Sequence, residues 1–564
     1  MALKVEADEP AISRQESLAE PLGRSTADEA AAAAETERNM GLVKSLKLYK
    51  KACFWSIFLS TCIAMEGYDM VILTNLYASP PFTRRFGVPV QGQANKYELT
   101  AAWQTGLSNG SLCGQVLGLF LNGIIADRFG YRKTLIGALV GCCGFIFILF
   151  YVNSLVQLLI GEILIGVPWG VFQTLTTTYA AEVCPTHLRA YLTTYVNLCW
   201  VLGQFIASGV LRATLSRNNE WAYRIPFAVE WMWPLPLILG IYLAPESPWW
   251  LVRHGRLDEA KRSIERLTTR NSGIDFRPDE TLSMMVHTNE IEKEMVAGTS
   301  YLDLFRGVNL RRTEIVCAVW VIQTLCGSTF MGYSTYFYKQ AGLDTQNALT
   351  MSLAQYGLGG VGTIVAWSLI SLIGRRTLYL SGQLTMFVFL LGIGCTSLAG
   401  RDNEPAQWAI GSLLLAYAFT YSATVGPVCY SLVSELTSTR LRTKSIVLAR
   451  NMYNLVGVGT NIMTPRMLNP TAWNWGAKSG FFWATTCLCC AVWTYFRLPE
   501  PKGRTYGELD ILFENRVSAR KFSKTPVDGF NGNSVSLSSD MEKAVEAVML
   551  EQVTVPPAPK PKDN

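Results

Sequence analysis

The chain has 564 residues, of which 49% are hydrophobic and 16% are charged, against about a quarter charged in a typical soluble domain. The mean hydropathy is +0.20 and the formal net charge is +6, carried by tails and loops. These values argue against a nucleic-acid-binding protein and suggest contact with anionic lipid. The three histidines argue against a zinc protein with several sites.

Apolar residues are concentrated in twelve blocks of about twenty residues, the length that crosses a bilayer as a helix. The sequence therefore predicts an all-α polytopic membrane protein with two six-helix halves. The predicted segments 1 to 12 lie near residues 52–77, 101–125, 134–151, 155–179, 192–211, 225–243, 315–338, 349–373, 377–398, 408–432, 446–464 and 480–498.

Five regions follow from this pattern. We expect a disordered N-terminal tail over 1–51, an N-terminal half over 52–248 and a C-terminal half over 313–502. The polar residues 249–312 between the halves are predicted to form a linker with short amphipathic helices. Residues 503–564, which end in a proline-rich stretch, are predicted to be disordered.

Three loop motifs recur at a spacing of six segments, which indicates two duplicated halves. The pairs are residues 127–133 with 371–377, 181–189 with 434–442, and 245–248 with 499–502. Two such halves related by an axis along the membrane normal are the arrangement of transporters that bind substrate between them.

An even number of spans places both termini on one side of the membrane. The basic residues of the short loops do not decide which side that is. Four lysines just before segment 1, at positions 44, 47, 50 and 51, favour cytosolic termini.

Segment 2 carries glycine at every fourth position, from Gly106 through Gly110 and Gly114 to Gly118. Such a stripe allows another helix to approach closely, which is how helices associate in lipid. We interpret it as a packing surface.

Three carboxylates inside predicted spans stand out, since an ionisable side chain is costly there and is a functional candidate by default. Glu66 and Asp69 are three residues apart on segment 1, hence on one helix face, and Glu162 lies on segment 4. Neither segment contains lysine or arginine. We therefore expect these groups to bind and release a proton during a transport cycle.

The repeats resemble the sugar porter family of the major facilitator superfamily over about residues 52–510. Residues 161–173, 332–337 and 442–445 are similar to fungal maltose permeases and general α-glucoside–proton symporters. The resemblance implies that the repeated loops are cytosolic and that their charges form a gate between helices. The implied gate residues are Asp127, Arg128, Arg132, Glu182, Arg189, Arg375, Arg376, Glu435 and Arg442.

A neutral sugar is recognised by amides, hydroxyls and flat aromatic rings. The candidates within the spans are Gln323, Tyr333, Tyr336, Asn197, Gln204, Tyr430, Asn451 and Asn454. Plain hydrogen bonding between helices is the alternative role for these side chains.

The sequence departs from the family at two coupling positions. Sugar–proton symporters often have arginine where Glu162 lies, and some relatives have a carboxylate at the position of Gln115. The resemblance implies that Asp69 carries the proton, and its partner stays open.

The predicted function is proton symport of a neutral sugar, an α-glucoside or related oligosaccharide, in the cell membrane. An uncoupled facilitator and a sugar sensor are the alternatives, and no enzyme motif is present. The expected partners are a sugar, a proton and the bilayer, without nucleic acid or an organic cofactor, and the protein is expected to act as a monomer.

Overall fold

The computed structural model describes residues 42–90, 97–269, 276–296, 300–400, 403–438, 441–502, 504, 506–523 and 525. The predictions of disorder over 1–41 and 526–564 lie outside these residues.

Helices coincide with all six predicted segments of the first half. Segment 1 consists of Lys50–Ser60 and Cys62–Leu76, and segments 2 to 5 are Ala101–Phe129, Tyr131–Phe150, Leu155–Val183 and Thr186–Thr214. Segment 6 consists of Trp221–Val229, a 3-10 turn Glu230–Met232 and Pro234–Leu243.

The second half repeats this pattern with a break in its first helix. Segment 7 runs through Gly307–Gln323, a π-type turn Thr324–Ser328, Thr329–Gly332 and Ser334–Gln340. Segments 8 and 9 are Thr345–Leu372 and Arg375–Thr396, and segment 10 consists of Glu404–Ala423 and Val425–Leu436. Segments 11 and 12 are Arg442–Leu468 and Gly480–Arg497.

Ten of these segments are long and apolar enough to cross a membrane, among the residues that the structure describes. Segments 11 and 12 are not among the ten. Segment 11 carries polar side chains such as Arg450 and Asn454 in its middle, and burial of Asn454 shows that part of this face is turned inward. Polar residues of this kind lower the hydropathy of a helix that lines an interior.

Helix packing is the same in both halves. Segment 1 packs on 5, 2 on 4 and 3 on 6, and the matching pairs 7 on 11, 8 on 10 and 9 on 12 recur in the second half. The halves meet where segment 2 packs on 11 and segment 5 on 8. The fold is an all-α polytopic bundle of two pseudo-symmetric halves, as the sequence predicts.

The glycine stripe of segment 2 allows close contact with segment 4. A Cβ atom at Gly114 or Gly118 would overlap the backbone of Ile163 or Val167, and one at Gly166 would overlap the carbonyl of Ser111. Backbones this close leave no room for side chains, and van der Waals contact then holds the pair together in lipid.

Two equivalent glutamates cap equivalent helices. The carboxylate of Glu246 accepts hydrogen bonds from the backbone N–H groups of Tyr131 and Arg132, at 3.0 and 3.3 Å. Glu500 does the same for Arg375 and Arg376, at 2.8 and 3.1 Å. Each cap satisfies amide groups at the start of a helix and places a negative charge at its positive end. The repeated motifs at 245–248 and 499–502 therefore have a defined structural role.

The linker contains the helices Pro248–Arg253, Leu257–Leu267 and Pro278–Val296 and a 3-10 turn Tyr301–Phe305. A two-stranded antiparallel sheet, in which Val88 pairs with Glu98 and Pro89 with Tyr97, lies between segments 1 and 2. The sequence analysis did not predict this sheet.

The predicted disorder is wrong at both edges of the bundle. Leu42–Leu48 is helical, and so is Tyr506–Glu514, which is followed by a 3-10 turn Ala519–Lys521. Leu512, Phe513 and Phe522 are fully buried. This short C-terminal stretch lacked a long apolar period, but three large side chains suffice to dock it on the bundle.

We name the two ends of the bundle by what they carry. The linker end holds residues 243–257, 307–312 and 497–502, and the far end holds residues 77–90, 97–101, 340–345 and 468–480.

Candidate functional site

Asp69 is fully buried in the first half. The indole N–H of Trp169 on segment 4 donates to its carboxylate at 2.9 Å. Its other oxygen accepts no hydrogen bond from a donor of the described residues. A carboxyl group held in this way has a single fixed donor and a free oxygen at which a proton can be bound.

Two further carboxyl groups lie near Asp69. Glu230 is fully buried on segment 6 and interacts electrostatically with Asp69, and neither of its oxygens has a hydrogen-bond partner in the described residues. Glu162 on segment 4 is 1% exposed and interacts electrostatically with both. Like charges that lie close together in a buried site disfavour one another, so this trio is suited to hold a mobile proton.

Glu66 faces a different environment from Asp69, although both lie on segment 1. The amide of Gln173 donates to Glu66 at 2.5 Å and to Gln115 Oε1 at 3.4 Å, which joins segments 1, 2 and 4 in one network. Glu66 also interacts electrostatically with Arg450 on segment 11. Glu66 therefore lies at the seam between the halves, with a cation opposite.

Arg450 stands among aromatic rings of the second half. Its guanidinium lies 4.7 Å from the ring centroids of both Trp320 and Tyr453. Trp320 in turn contacts Tyr430 edge to face, with centroids 5.0 Å apart. This wall offers flat apolar surfaces and hydroxyl groups, which suit the faces and edges of a sugar ring.

Gln323 lies directly before the break in segment 7. Its side-chain oxygen accepts a hydrogen bond from the hydroxyl of Tyr421 at 2.9 Å, and its side-chain nitrogen has no acceptor in the described residues. The break centres on Gly327, whose φ of +91° is open to glycine and strained for other residues. Asn454 is 1% exposed, and neither its amide nitrogen nor its amide oxygen has a hydrogen-bond partner in the described residues. The amide oxygen of Asn451 also has none. Buried polar atoms of this kind are positions where a ligand can complete the hydrogen bonding.

The other sugar candidates are spread more widely. Tyr430 belongs to the aromatic wall described above. Within the described residues, no hydrogen bond connects Asn197 or Gln204 of segment 5 to Gln323 or Glu66. Tyr333 and Tyr336 lie toward the far end: Tyr333 donates to Ser108 at 2.8 Å, and Tyr336 lies beside Glu98 and Gln340.

Contacts between the halves close the far end. Lys339 donates to the carbonyl of Ala78 at 3.1 Å, and Asn469 donates to that of Leu99 at 2.7 Å. Tyr77 of the first half and Tyr333 of the second half stack with centroids 6.2 Å apart. These contacts separate the central polar residues from the far-end solvent.

The predicted gate residues contact their own half or the linker. Glu182 pairs with Arg253 of the linker at 2.7 Å, and Glu435 pairs with Arg375 at 3.3 Å. Arg132 and Arg376 donate to the backbone carbonyls of Ala244 and Tyr495, at 3.3 and 2.7 Å.

Asp127 and Arg128 are exposed, and the guanidinium of Arg128 lies 5.6 Å from the ring of Phe129. The side chains of Arg189 and Arg442 are outside the described residues. The closing of the linker end by this group of charges stays a prediction.

The sequence analysis missed four side chains at the centre. Glu230 and Arg450 lie inside predicted segments 6 and 11, so the rule that intramembrane charges are functional would have selected both. Trp169 and Gln173 are different, because only the rotation of segment 4 in three dimensions shows that they contact the carboxylates.

Comparison with known proteins identifies the family. The family model described as "Sugar (and other) transporter" matches residues 55–513. The chain belongs to the sugar transporter family. It is 44% identical over 503 residues to a maltose permease of Saccharomyces cerevisiae, covering 88% of this chain and 81% of that one. An alpha-glucosides permease of the same yeast is 44% identical over 516 residues, with coverage of 89% and 84%.

Solved structures match at the level of the fold. The inward open conformation of the xylose transporter XylE from E. coli aligns with a TM-score of 0.65 at 19% identity, over 82% of this chain and 99% of that one. A partially occluded inward open conformation of XylE gives 0.64 at 21% identity, over 81% and 99%. The sugar transporter family and the major facilitator fold expected from the sequence are confirmed, and the relatives are permeases, not enzymes.

Proposed function

We propose that the protein imports an α-glucoside or a related oligosaccharide together with a proton, by alternating access. The observation that carries the coupling is the buried trio Asp69, Glu162 and Glu230 in one half, beside a neutral polar site in the other. The names of the relatives support the class of substrate.

The trio holds the proton. Like charges this close disfavour one another, and burial disfavours each charge further, so three carboxylates cannot all be charged at once. Asp69 is the member on segment 1, the helix that also carries Glu66 to the seam. Movement of segment 1 therefore links the proton site to the sugar site.

The sugar binds at the seam. Gln323 and Asn454 provide amide groups, and Trp320 and Tyr430 provide aromatic surface from the second half. Glu66 and Gln173 face them from the first half. A sugar that bridges these groups completes hydrogen bonds that are missing without it, and this favours closure of the two halves around it.

Release of the sugar toward the linker end fits the contacts at the far end. Rocking of the halves about the 2–11 and 5–8 contacts would break those contacts and open the opposite entrance. We propose both termini in the cytosol, the plasma membrane as location and a monomer as the working unit. The gate residues would then pair across the halves in the outward-open state.

The decisive experiment is uptake in yeast cells that lack α-glucoside transporters. Maltose, sucrose and raffinose are offered in turn while the pH of a weakly buffered medium is recorded. We expect accumulation against a gradient, with alkalinisation of the medium on sugar addition. Downhill uptake without alkalinisation would support the facilitator, and signalling without uptake would support the sensor.

A further inference from the structure

A polar cavity lies at the linker end, away from the proposed sugar site. Its volume is about 360 Å³, many times the roughly 30 Å³ that one water molecule occupies. It lies between the start of segment 7, the end of segment 12 and the C-terminal stretch. The lining residues are Gly307, Val308, Arg311, Phe496, Arg497, Phe513, Arg516, Ser518 and Ala519.

The C-terminal stretch forms one wall of this cavity and is firmly docked. Asp510 forms an ion pair with the buried Arg312, whose guanidinium lies 4.3 Å from the ring centroid of Phe513. Arg311 donates to the carbonyl of Val517 at 2.8 Å. The cavity is thus a built feature of the folded chain and not a gap beside a loose tail.

The lining is basic. It includes three arginines and, among the described residues, no acidic side chain. Arg497 is already paired with Glu314. Arg311 and Arg516 form no ion pair with any described residue, and Arg520, stacked 5.7 Å from the ring of Phe496, adds a further cation beside the opening. Glu314 pairs with Arg497 and also interacts electrostatically with Arg311, so the arginines of this surface outnumber its carboxylates and leave a site for an anion.

The helix at this cavity lacks the negative charge that would stabilise the positive N-terminal end of its dipole. Segment 7 starts at Gly307 with no acidic residue in its first turn and no side chain capping its first N–H groups. Arg306 precedes the helix and pairs with Asp303 at 3.7 Å, and Arg311 and Arg312 lie in its second turn. Cations are unfavourable at the positive end of a helix dipole, so an anion bound beside Arg311 would be stabilised there.

A lipid-facing stripe leads away from the cavity. Leu488, Val492 and Phe496 recur at every fourth position of segment 12 and are 39%, 51% and 55% exposed. Phe496 belongs both to this stripe and to the lining. An occupant with a charged head and apolar chains therefore fits the surface as a whole.

We propose that the cavity binds the headgroup of an anionic glycerophospholipid, with the phosphate between Arg311 and Arg516 and the acyl chains along segment 12. In the proposed orientation this leaflet is the cytosolic one, which carries anionic lipid. Because the C-terminal stretch forms a wall, bound lipid also stabilises its docking on the bundle.

The test uses the full-length transporter purified in neutral detergent. Thermal unfolding is followed during titration with short-chain phosphatidylserine, with short-chain phosphatidylcholine and with inorganic phosphate. We expect phosphatidylserine alone to raise the unfolding temperature. Arg516→Gln should weaken its binding about tenfold or more, since one charge-assisted contact is lost. The exposed Arg262 of the linker provides the matched control, and Arg262→Gln should bind as the wild type does.

Arg516 is exposed, so its replacement leaves the fold intact, and sugar uptake by the variant verifies this. Equal phosphatidylserine binding by Arg516→Gln and wild type would overturn the proposal. So would equal protection by phosphatidylcholine, which would indicate a general lipid effect. Protection by inorganic phosphate at similar affinity would overturn the lipid assignment in favour of a soluble anion. None of these results bears on sugar transport.

Discussion

The two halves share their packing and their helix caps but differ in the chemistry of their interiors. The first half buries the carboxyl groups of Glu66, Asp69, Glu162 and Glu230 within its spans. In the middle of the described spans of the second half the polar groups are amides and hydroxyls, with Arg450 as a cation at the seam. One half is therefore equipped for protons and the other for a neutral ligand.

This difference separates the two tasks of a symporter. A proton site needs burial and a few titratable groups, whereas a sugar site needs many neutral donors and acceptors. Glu66 and Arg450 face each other where the two chemistries meet. The pair provides an electrostatic contact whose strength changes when the halves move apart.

The largest effect should come from Asp69→Asn, which fixes a neutral side chain in the proton site. We expect loss of uphill accumulation and of sugar-induced alkalinisation, with slow downhill exchange retained. Sugar accumulation and alkalinisation of the medium are measured in cells that express equal amounts of wild type or variant at the surface. Glu404→Gln, which neutralises an exposed carboxylate at the far end of the second half, should behave as wild type. Accumulation with unchanged alkalinisation in Asp69→Asn would remove Asp69 from the proposed mechanism.

The next effect concerns the sugar side. Gln323→Ala removes an amide that holds Tyr421 and offers a free N–H group, at a cost of about 1 to 3 kcal/mol. We expect the half-saturation constant for sugar to rise roughly 5- to 150-fold. The number of protons taken up per sugar should stay the same, because the carboxyl trio is untouched. Altered proton coupling with normal sugar affinity would show that proton binding and sugar binding are not separated between the two halves.

A smaller effect should distinguish the neighbours of Asp69. The Trp169 indole stabilises the charged carboxylate, so Trp169→Phe should make Asp69 hold its proton more tightly. The pH optimum of uptake should then rise by about one unit. Glu162→Gln removes a like charge and should shift the optimum to lower pH. Shifts of the same sign in both variants, measured from uptake across a pH series, would contradict the proposed trio.

The smallest effect should be equal in the two halves. Glu246→Gln and Glu500→Gln each weaken one helix cap, at about 0.5 to 2 kcal/mol. We expect similar, modest decreases in the unfolding temperature of the purified protein, with coupling intact. A loss of coupling in Glu246→Gln alone would mean that this loop also takes part in the transport cycle.

The fold could be predicted from sequence because membrane spans and duplicated loops leave long, regular patterns. The central site could be predicted only in part. Glu66, Asp69 and Glu162 stand out as charges in apolar segments, but the partner of Asp69 depends on helix rotation, which places Trp169 and Glu230 beside it. The docked stretch Tyr506–Glu514 escaped prediction because tertiary contacts with segment 7 stabilise it, and these leave no periodic signal.

The interlocked glycines of segments 2 and 4 have a mechanical consequence. Two helices whose backbones touch at Gly114 and Gly166 cannot slide or rotate past each other without collision. The two helices therefore move as one rigid unit, and segment 4 carries Glu162, Trp169 and Gln173 on that unit. Conformational change during the cycle is then expected at helix breaks, such as the one at Gly327 in segment 7. The three side chains of segment 4 then keep their positions relative to segment 2, while Asp69 on segment 1 can move relative to them.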